Sequence, residues 1–130
     1  MLDQSIDLVR QVLVVDDDPM NLALVKLRIA KLGLNITSAQ DGSEAVDWVK
    51  IKKFDLILMD IQMPRLDGVQ ATRLIRQLPY GVDVPILATT GNPSEQQCAN
   101  YLEAGMNGFI AKPFIASELL DAVLTWINPP

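Results

Sequence analysis

The sequence predicts an α/β protein: a doubly wound, five-stranded parallel sheet of order 2-1-3-4-5 with helices on both faces. Three observations point to it. Short apolar runs alternate with segments of helical period, helix-cap signals punctuate the boundaries, and the first and third runs are apolar throughout, as strands buried on both faces are.

The runs are VLVV (Val12 to Val15), LNITSA (Leu34 to Ala39), LILM (Leu56 to Met59), VPILAT (Val84 to Thr89) and GFIA (Gly108 to Ala111). Between them the spacing predicts helices over Pro19 to Leu32, Ser43 to Ile51, Asp67 to Leu78, Ser94 to Glu103 and Ile115 to Ile127. Asp18 before Pro19 suits an N-cap with proline at the first helical position, and Gly33 suits the stop of that helix. Asp41 with Glu44, Asp67 with Gln70, and Ser94 with Gln97 have capping-box spacing, and Gly105 can close the fourth helix. LNITSA alternates in polarity and suits an edge strand, which places the topological switch between strands 1 and 3. The fifth helix carries Leu119, Leu120, Val123, Leu124 and Ile127 in an apolar stripe, with Trp126 off its centre as core or partner contact. The closing NPP is the expected frayed tail.

At 130 residues and 14.3 kDa the chain suits one domain, 1–130, with a core from about 10 to 127. No apolar run approaches the roughly 18 residues of a membrane span, and the acidic start MLDQSIDLVR is unlike a secretory signal. A single Cys98 and the absence of His exclude an internal disulfide and the commonest zinc sets, which favours a reducing, cytoplasmic setting. A net charge of −5 argues against direct nucleic-acid binding and for protein or small phosphodonor partners.

In the 2-1-3-4-5 order, distant residues meet beyond the carboxyl ends of the strands. Strand 1 ends in Asp16, Asp17 and Asp18, strand 3 in Asp60, strand 4 in Thr89, Thr90 and Gly91, and strand 5 runs into Lys112 and Pro113. Singly, each has an ordinary explanation: an acid at a strand end is more often a turn or cap, which is the reading for Asp18. Together they conflict with that explanation. Two like charges about 5 Å apart repel by roughly 3 kcal/mol at an effective dielectric near 20, so Asp16, Asp17 and Asp60 need positive compensation. Mg²⁺ (or Mn²⁺), held by those carboxylates and the backbone carbonyl of Gln62, would supply it, with Lys112 as a second cation outside the metal's shell. A carboxylate so neutralised suits attack on phosphorus to form an aspartyl phosphate, and Asp60 is placed to be the nucleophile. Thr90 offers a hydroxyl to a phosphoryl oxygen, and Gly91 leaves room for the phosphorus.

Over residues 10 to 127 the chain resembles the receiver domains of two-component response regulators. VLVVDDD, LILMDIQMPRLDG, PILATTG and GFIAKPF carry the resemblance, in the right order and spacing. It implies the flavodoxin-like (βα)5 fold and a signalling receiver, not an enzyme in the ordinary sense, that catalyses its own phosphorylation and dephosphorylation. Asp60 would take phosphate from the phosphohistidine of a histidine kinase or histidine phosphotransfer protein. Asp16 and Asp17 would hold Mg²⁺, with Asp17 the direct ligand, and Thr90 and Lys112 would contact the phosphoryl group. The resemblance further implies a cis bond between Lys112 and Pro113, a tuning of phosphate lifetime by Gln62 and Asn92, and a switch in which Phe109 follows Thr90. Helix 4, strand 5 and helix 5 would then form the output face for a downstream protein or a homodimer. Thr89, where the family usually has an aliphatic residue, and Gly91, commonly alanine, depart from the pattern.

A phosphohydrolase of the haloacid dehalogenase kind needs an acid two residues after the nucleophile, where this chain has Gln62. A flavodoxin-like cofactor binder needs a phosphate loop of amides, where this chain has three carboxylates. A receiver that has lost phosphorylation is disfavoured because every chemical position is filled. No output domain follows Pro130, so a free-standing regulator is expected, or a receiver from a larger protein such as a hybrid kinase, whose receivers often open with the DPMNL of Asp18 to Leu22.

Overall fold

The computed structural model describes residues 9–127, so the expectations for the first eight residues and for the closing NPP lie outside the described residues. The strands are β1 (Gln11–Val15), β2 (Asn35–Ala39), β3 (Leu56–Asp60), β4 (Ile86–Thr90) and β5 (Gly108–Ala111). The helices between and after them are α1 (Pro19–Ile29), α2 (Gly42–Ile51), α3 (Gly68–Ile75), α4 (Glu95–Ala104) and α5 (Ala116–Ile127). All strand pairs are parallel and the sheet order is β2-β1-β3-β4-β5, as the hydrophobic pattern predicts.

Alternation along the inner strands builds two cores. Leu13, Val15, Ile57, Met59, Ile86 and Ala88 point to one face, where Ala45, Val49, Ala71, Ile75 and Tyr101 of α2, α3 and α4 cover them. Val12, Val14, Leu56, Leu58 and Leu87 point to the other, against Leu22, Val25 and Ile29 of α1 and Leu119, Val123 and Ile127 of α5. Burial of each such side chain stabilises the fold by about 1.5–3 kcal/mol, so an inner strand apolar on both faces is the expected result. The edge strand β2 buries only Ala39.

Most caps form as the spacing predicts. Asp18 accepts from the Met20 amide, Asp67 with Gln70 and Ser94 with Gln97 close full capping boxes, and Gly105 ends α4 at φ 109°, a left-handed conformation that favours glycine. Asp41 differs: it accepts from the Glu44 amide, but the Glu44 carboxylate turns to the Gln40 amide, so the reciprocal half of the box is missing. The strands β2 and β4 begin one and two residues later than expected, at Asn35 and Ile86, the second because Pro85 has no amide to enter the ladder. β4 also reaches Thr90, one residue beyond the expected run.

The third helix ends at Ile75, three residues before the expected Leu78. Pro79 holds Leu78 extended (φ −93°, ψ 148°), and a 3₁₀ turn follows over Pro79–Gly81. The Arg76 guanidinium fills the gap, donating to the carbonyls of Gly81 (2.9 Å), Val84 (2.6 Å) and Gly105 (2.6 Å), and so ties the end of α3 to β4 and α4. Leu124, expected in the stripe of α5, is exposed, and Trp126 is half-buried. No helix among the described residues is long and apolar enough to cross a membrane.

Thr72 on α3 is fully buried, and its hydroxyl has no hydrogen-bond partner among the described residues. An unmet buried hydroxyl costs about 1–3 kcal/mol. Thr72→Val, which keeps the shape, should therefore stabilise the protein by about 1 kcal/mol in urea unfolding; a loss of stability would mean that this hydroxyl has an unseen partner.

Candidate functional site

The parallel sheet delivers its chemistry at the carboxyl ends of the inner strands. Asp60 is the last residue of β3 and Thr90 the last of β4, while Asp16 follows β1 with its amide on the Ala39 carbonyl (3.1 Å). Lys112 follows β5, its amide fixed on the Thr90 carbonyl (2.7 Å), and the Lys112–Pro113 bond is cis, as the resemblance implies. The loop after β3 returns so closely that a Cβ at Gly68 would overlap the Asp60 carbonyl oxygen. Glycine there lets α3 start against the backbone of Asp60 and fixes its height at the rim.

Asp16 and Asp60 are each only 3% exposed, a burial that is costly for a charged group, whereas Asp17 is exposed. Lys112 Nζ bridges the two buried acids, at 2.9 Å from Asp60 Oδ1 and 3.1 Å from Asp16 Oδ2. The other oxygen of Asp16 accepts from the Asp18 amide at 2.9 Å. Among the described residues one ammonium thus pairs with two of three acids, and each of the three can place one carboxylate oxygen within 4.8 Å of the others.

The imbalance appears in the ionisation of Asp60. Burial, reinforced by Asp16 and Asp17 and opposed by Lys112, pushes its carboxyl up from 3.8 to about 6. Because the folded protein holds this proton more tightly than the unfolded chain, the fold loses stability as pH rises from about 4 through 6. That penalty is on the order of 3 kcal/mol once Asp60 is ionised. Burial acts to lower the Lys112 ammonium pKa, but the hydrogen bonds and charges of Asp60 and Asp16 outweigh it and raise the value, which keeps Lys112 charged. Hard oxygen donors with surplus negative charge make a set that a divalent cation fits.

Of the residues singled out in the sequence, Asp16, Asp17, Asp60, Gln62, Thr90 and Lys112 line one cavity of about 210 Å³, together with Asp18, Asn21 and Gly91. Thr90 rather than Thr89 faces this cavity, because strand alternation turns Thr89 into the buried interior. Two expected residues are not gathered there. Asn92 lies outside the lining, and Phe109 is 48% exposed and borders a separate apolar cavity with Cys98, Tyr101, Leu102 and Gly108.

Two residues that face the site or its threonine carry little sequence signal. Asn21 sits in the first turn of α1, just beyond the acids that follow β1, and only its closeness to them in the chain offers a hint. Tyr101 reaches Thr90, with its hydroxyl 3.5 Å from Thr90 Oγ1, through a meeting of α4 with the end of β4 that no local pattern encodes.

The family model of the response regulator receiver domain matches residues 12–124. Transcription factor SKN7 of Candida albicans is 41% identical over 108 residues, which is 83% of this chain and 19% of that protein. The signal transduction histidine-protein kinase BarA of Escherichia coli is 38% identical over 115 residues, 88% of this chain and 12% of that protein. The chain therefore spans less than about a fifth of these curated relatives. Among solved structures, the receiver domain of the Pseudomonas aeruginosa sensor histidine kinase PA1611, which has a magnesium ion coordinated in its active site cleft, superposes with a TM-score of 0.84. It is 39% identical, over 92% of this chain and 98% of that one. The Vibrio cholerae chemotaxis protein CheY4 reaches a TM-score of 0.87 at 27% identity, over 91% and 98% of the two chains. Fold, strand-tip chemistry and relatives converge: the chain belongs to the response regulator receiver domains of two-component signalling.

Proposed function

We propose that Asp60 takes a phosphoryl group from the phosphohistidine of a histidine kinase or histidine phosphotransfer protein, and that the modified domain switches its protein contacts. One observation carries this reading: a carboxylate buried at a strand tip shares a lysine with a second buried acid, beside an exposed third. A structural acid gains nothing from such crowding, whereas a nucleophile toward a charged phosphoryl group needs neutralising groups in place beforehand.

In this reading an oxygen of Asp60 bonds to phosphorus as the phosphorus–nitrogen bond of the donor breaks, and the electron pair returns to the imidazole. Asp16, Asp17, Asp60 and the Gln62 carbonyl would hold Mg²⁺ (or Mn²⁺), which when bound supplies positive charge toward the phosphoryl oxygens. Lys112, already 2.9 Å from Asp60, pairs with a second phosphoryl oxygen. The Thr90 hydroxyl donates to a third, and Gly91, where a Cβ would meet no described residue other than its chain neighbours within 4 Å, leaves the approach open. The domain acts on itself in both phosphorylation and dephosphorylation. Gln62, which lines the cavity, and Asn92, two residues beyond Thr90 and outside that lining, set the lifetime of the phosphoryl group. Phe109 follows Thr90 inward, and α4, β5 and α5, where Leu102, Phe109 and Leu124 are exposed, form the face for a downstream protein or a second copy.

With Mg²⁺ and acetyl phosphate, the parent should gain one phosphoryl group by intact-mass measurement and Asp60→Asn none; equal labelling of both would place the acceptor elsewhere. In parent protein freed of donor, decay of the label should follow first-order kinetics. Gln62→Ala and Asn92→Ala should each change that rate severalfold while uptake persists, and decay indistinguishable from the parent would remove both residues from this role.

A further inference from the structure

We infer that Tyr101 is a positioning residue for Thr90: its hydroxyl holds the threonine hydroxyl at rest, so that the phosphoryl group must compete with it. The inference rests on the phosphoacceptor reading of Asp60 and adds a residue to it.

Thr90 lines one cavity and its neighbour Tyr101 borders another. The first is the acid-lined cavity of about 210 Å³, and the second the apolar cavity of about 150 Å³ bordered by Tyr101 and Phe109. Thr90 Oγ1 and the Tyr101 hydroxyl stand 3.5 Å apart. The Tyr101 ring is 5% exposed and anchored in the core with Ala88 and Met106, so the phenol cannot swing to water without moving α4. A buried phenol needs a hydrogen-bond partner, and Thr90 is the one it meets among the described residues.

The distance decides the outcome of the competition. A strong bond between hydroxyls is about 2.7–2.8 Å long, so the resting contact is weak. A phosphoryl oxygen is charged, and hydrogen bonds to charged acceptors are roughly twice as strong as neutral ones. Thr90 therefore moves toward a phosphoryl group on Asp60 and leaves the Tyr101 hydroxyl buried and unmet. That loss falls directly on α4. Phe109 has no hydroxyl to give or take, so it supplies bulk to the apolar cavity while Tyr101 carries the polar half of the exchange.

Beryllofluoride with Mg²⁺, a mimic of the phosphoryl group, tests this by titration calorimetry on the whole chain. Tyr101→Phe removes the competitor, so it should tighten beryllofluoride binding by about two- to fivefold, the worth of a weak hydrogen bond. In the Thr90→Ala background the same substitution should leave the affinity unchanged, and Thr90→Ser should restore the effect. An unchanged affinity for Tyr101→Phe alone, or an equal change in both backgrounds, would overturn the inference. A second readout needs no substitution: the Tyr101 ring carbon bearing the hydroxyl should shift in NMR spectra when beryllofluoride saturates the parent, and a stationary signal would also overturn it. If the parent itself fails to bind beryllofluoride, the phosphoacceptor reading falls first. Binding by the parent with no response at Tyr101 leaves that reading standing and removes only this residue.

Discussion

The candidate site depends on holding one carboxylate, Asp60, out of water beside two others, with one ammonium, Lys112, paired to it among the described residues. At 3% exposure, with Asp16 and Asp17 near and Lys112 at 2.9 Å, Asp60 is neither neutralised by full pairing nor relieved by solvent. Burial, with Asp16 and Asp17 near, pushes its carboxyl up to about 6. An ionised Asp60 costs the fold stability, and whatever brings positive charge to the rim recovers it. Stability and cation affinity are thus two views of one electrostatic deficit.

The parallel sheet makes such a deficit sustainable. Each inner strand is apolar on both faces and locked in register, so the residues at its carboxyl end have little freedom to retreat from one another. The close approach permitted by Gly68 presses the start of α3 onto the backbone of Asp60. The Lys112 amide is likewise tied to the Thr90 carbonyl, so β4 and β5 hold threonine and lysine at a fixed spacing. The two large cores supply the stability that offsets a strained rim, a common division between scaffold and site.

How much of this the sequence reveals depends on whether a feature is local. The five strands, their order and most helix caps are readable, because VLVV, LILM and the pairs Asp67 with Gln70 and Ser94 with Gln97 state their geometry within a few residues. The strand-tip cluster is readable one step later, since sheet order alone brings Asp16, Asp60, Thr90 and Lys112 together. What escapes is decided by tertiary competition. The Glu44 carboxylate accepts from the Gln40 amide instead of that of Asp41, and α3 stops early because Pro79 and the carbonyl-binding Arg76 reshape its end. The meeting of Tyr101 with Thr90 depends on the packing of α4 across the core, which no spacing in the chain announces.

The electrostatic deficit at Asp60 is tested most directly by the affinity for Mg²⁺ as a function of pH, measured by titration calorimetry from about pH 5 to 8. If Asp60 holds the cation, protons compete with it for a carboxyl that burial pushes up to about 6. Affinity should therefore fall as pH drops through about 6, by up to about tenfold per unit below it, and in Asp60→Asn this dependence should disappear. An affinity in the parent that stays level across the range, or one that falls equally in Asp60→Asn, would contradict the placement of Asp60 at the centre of this site.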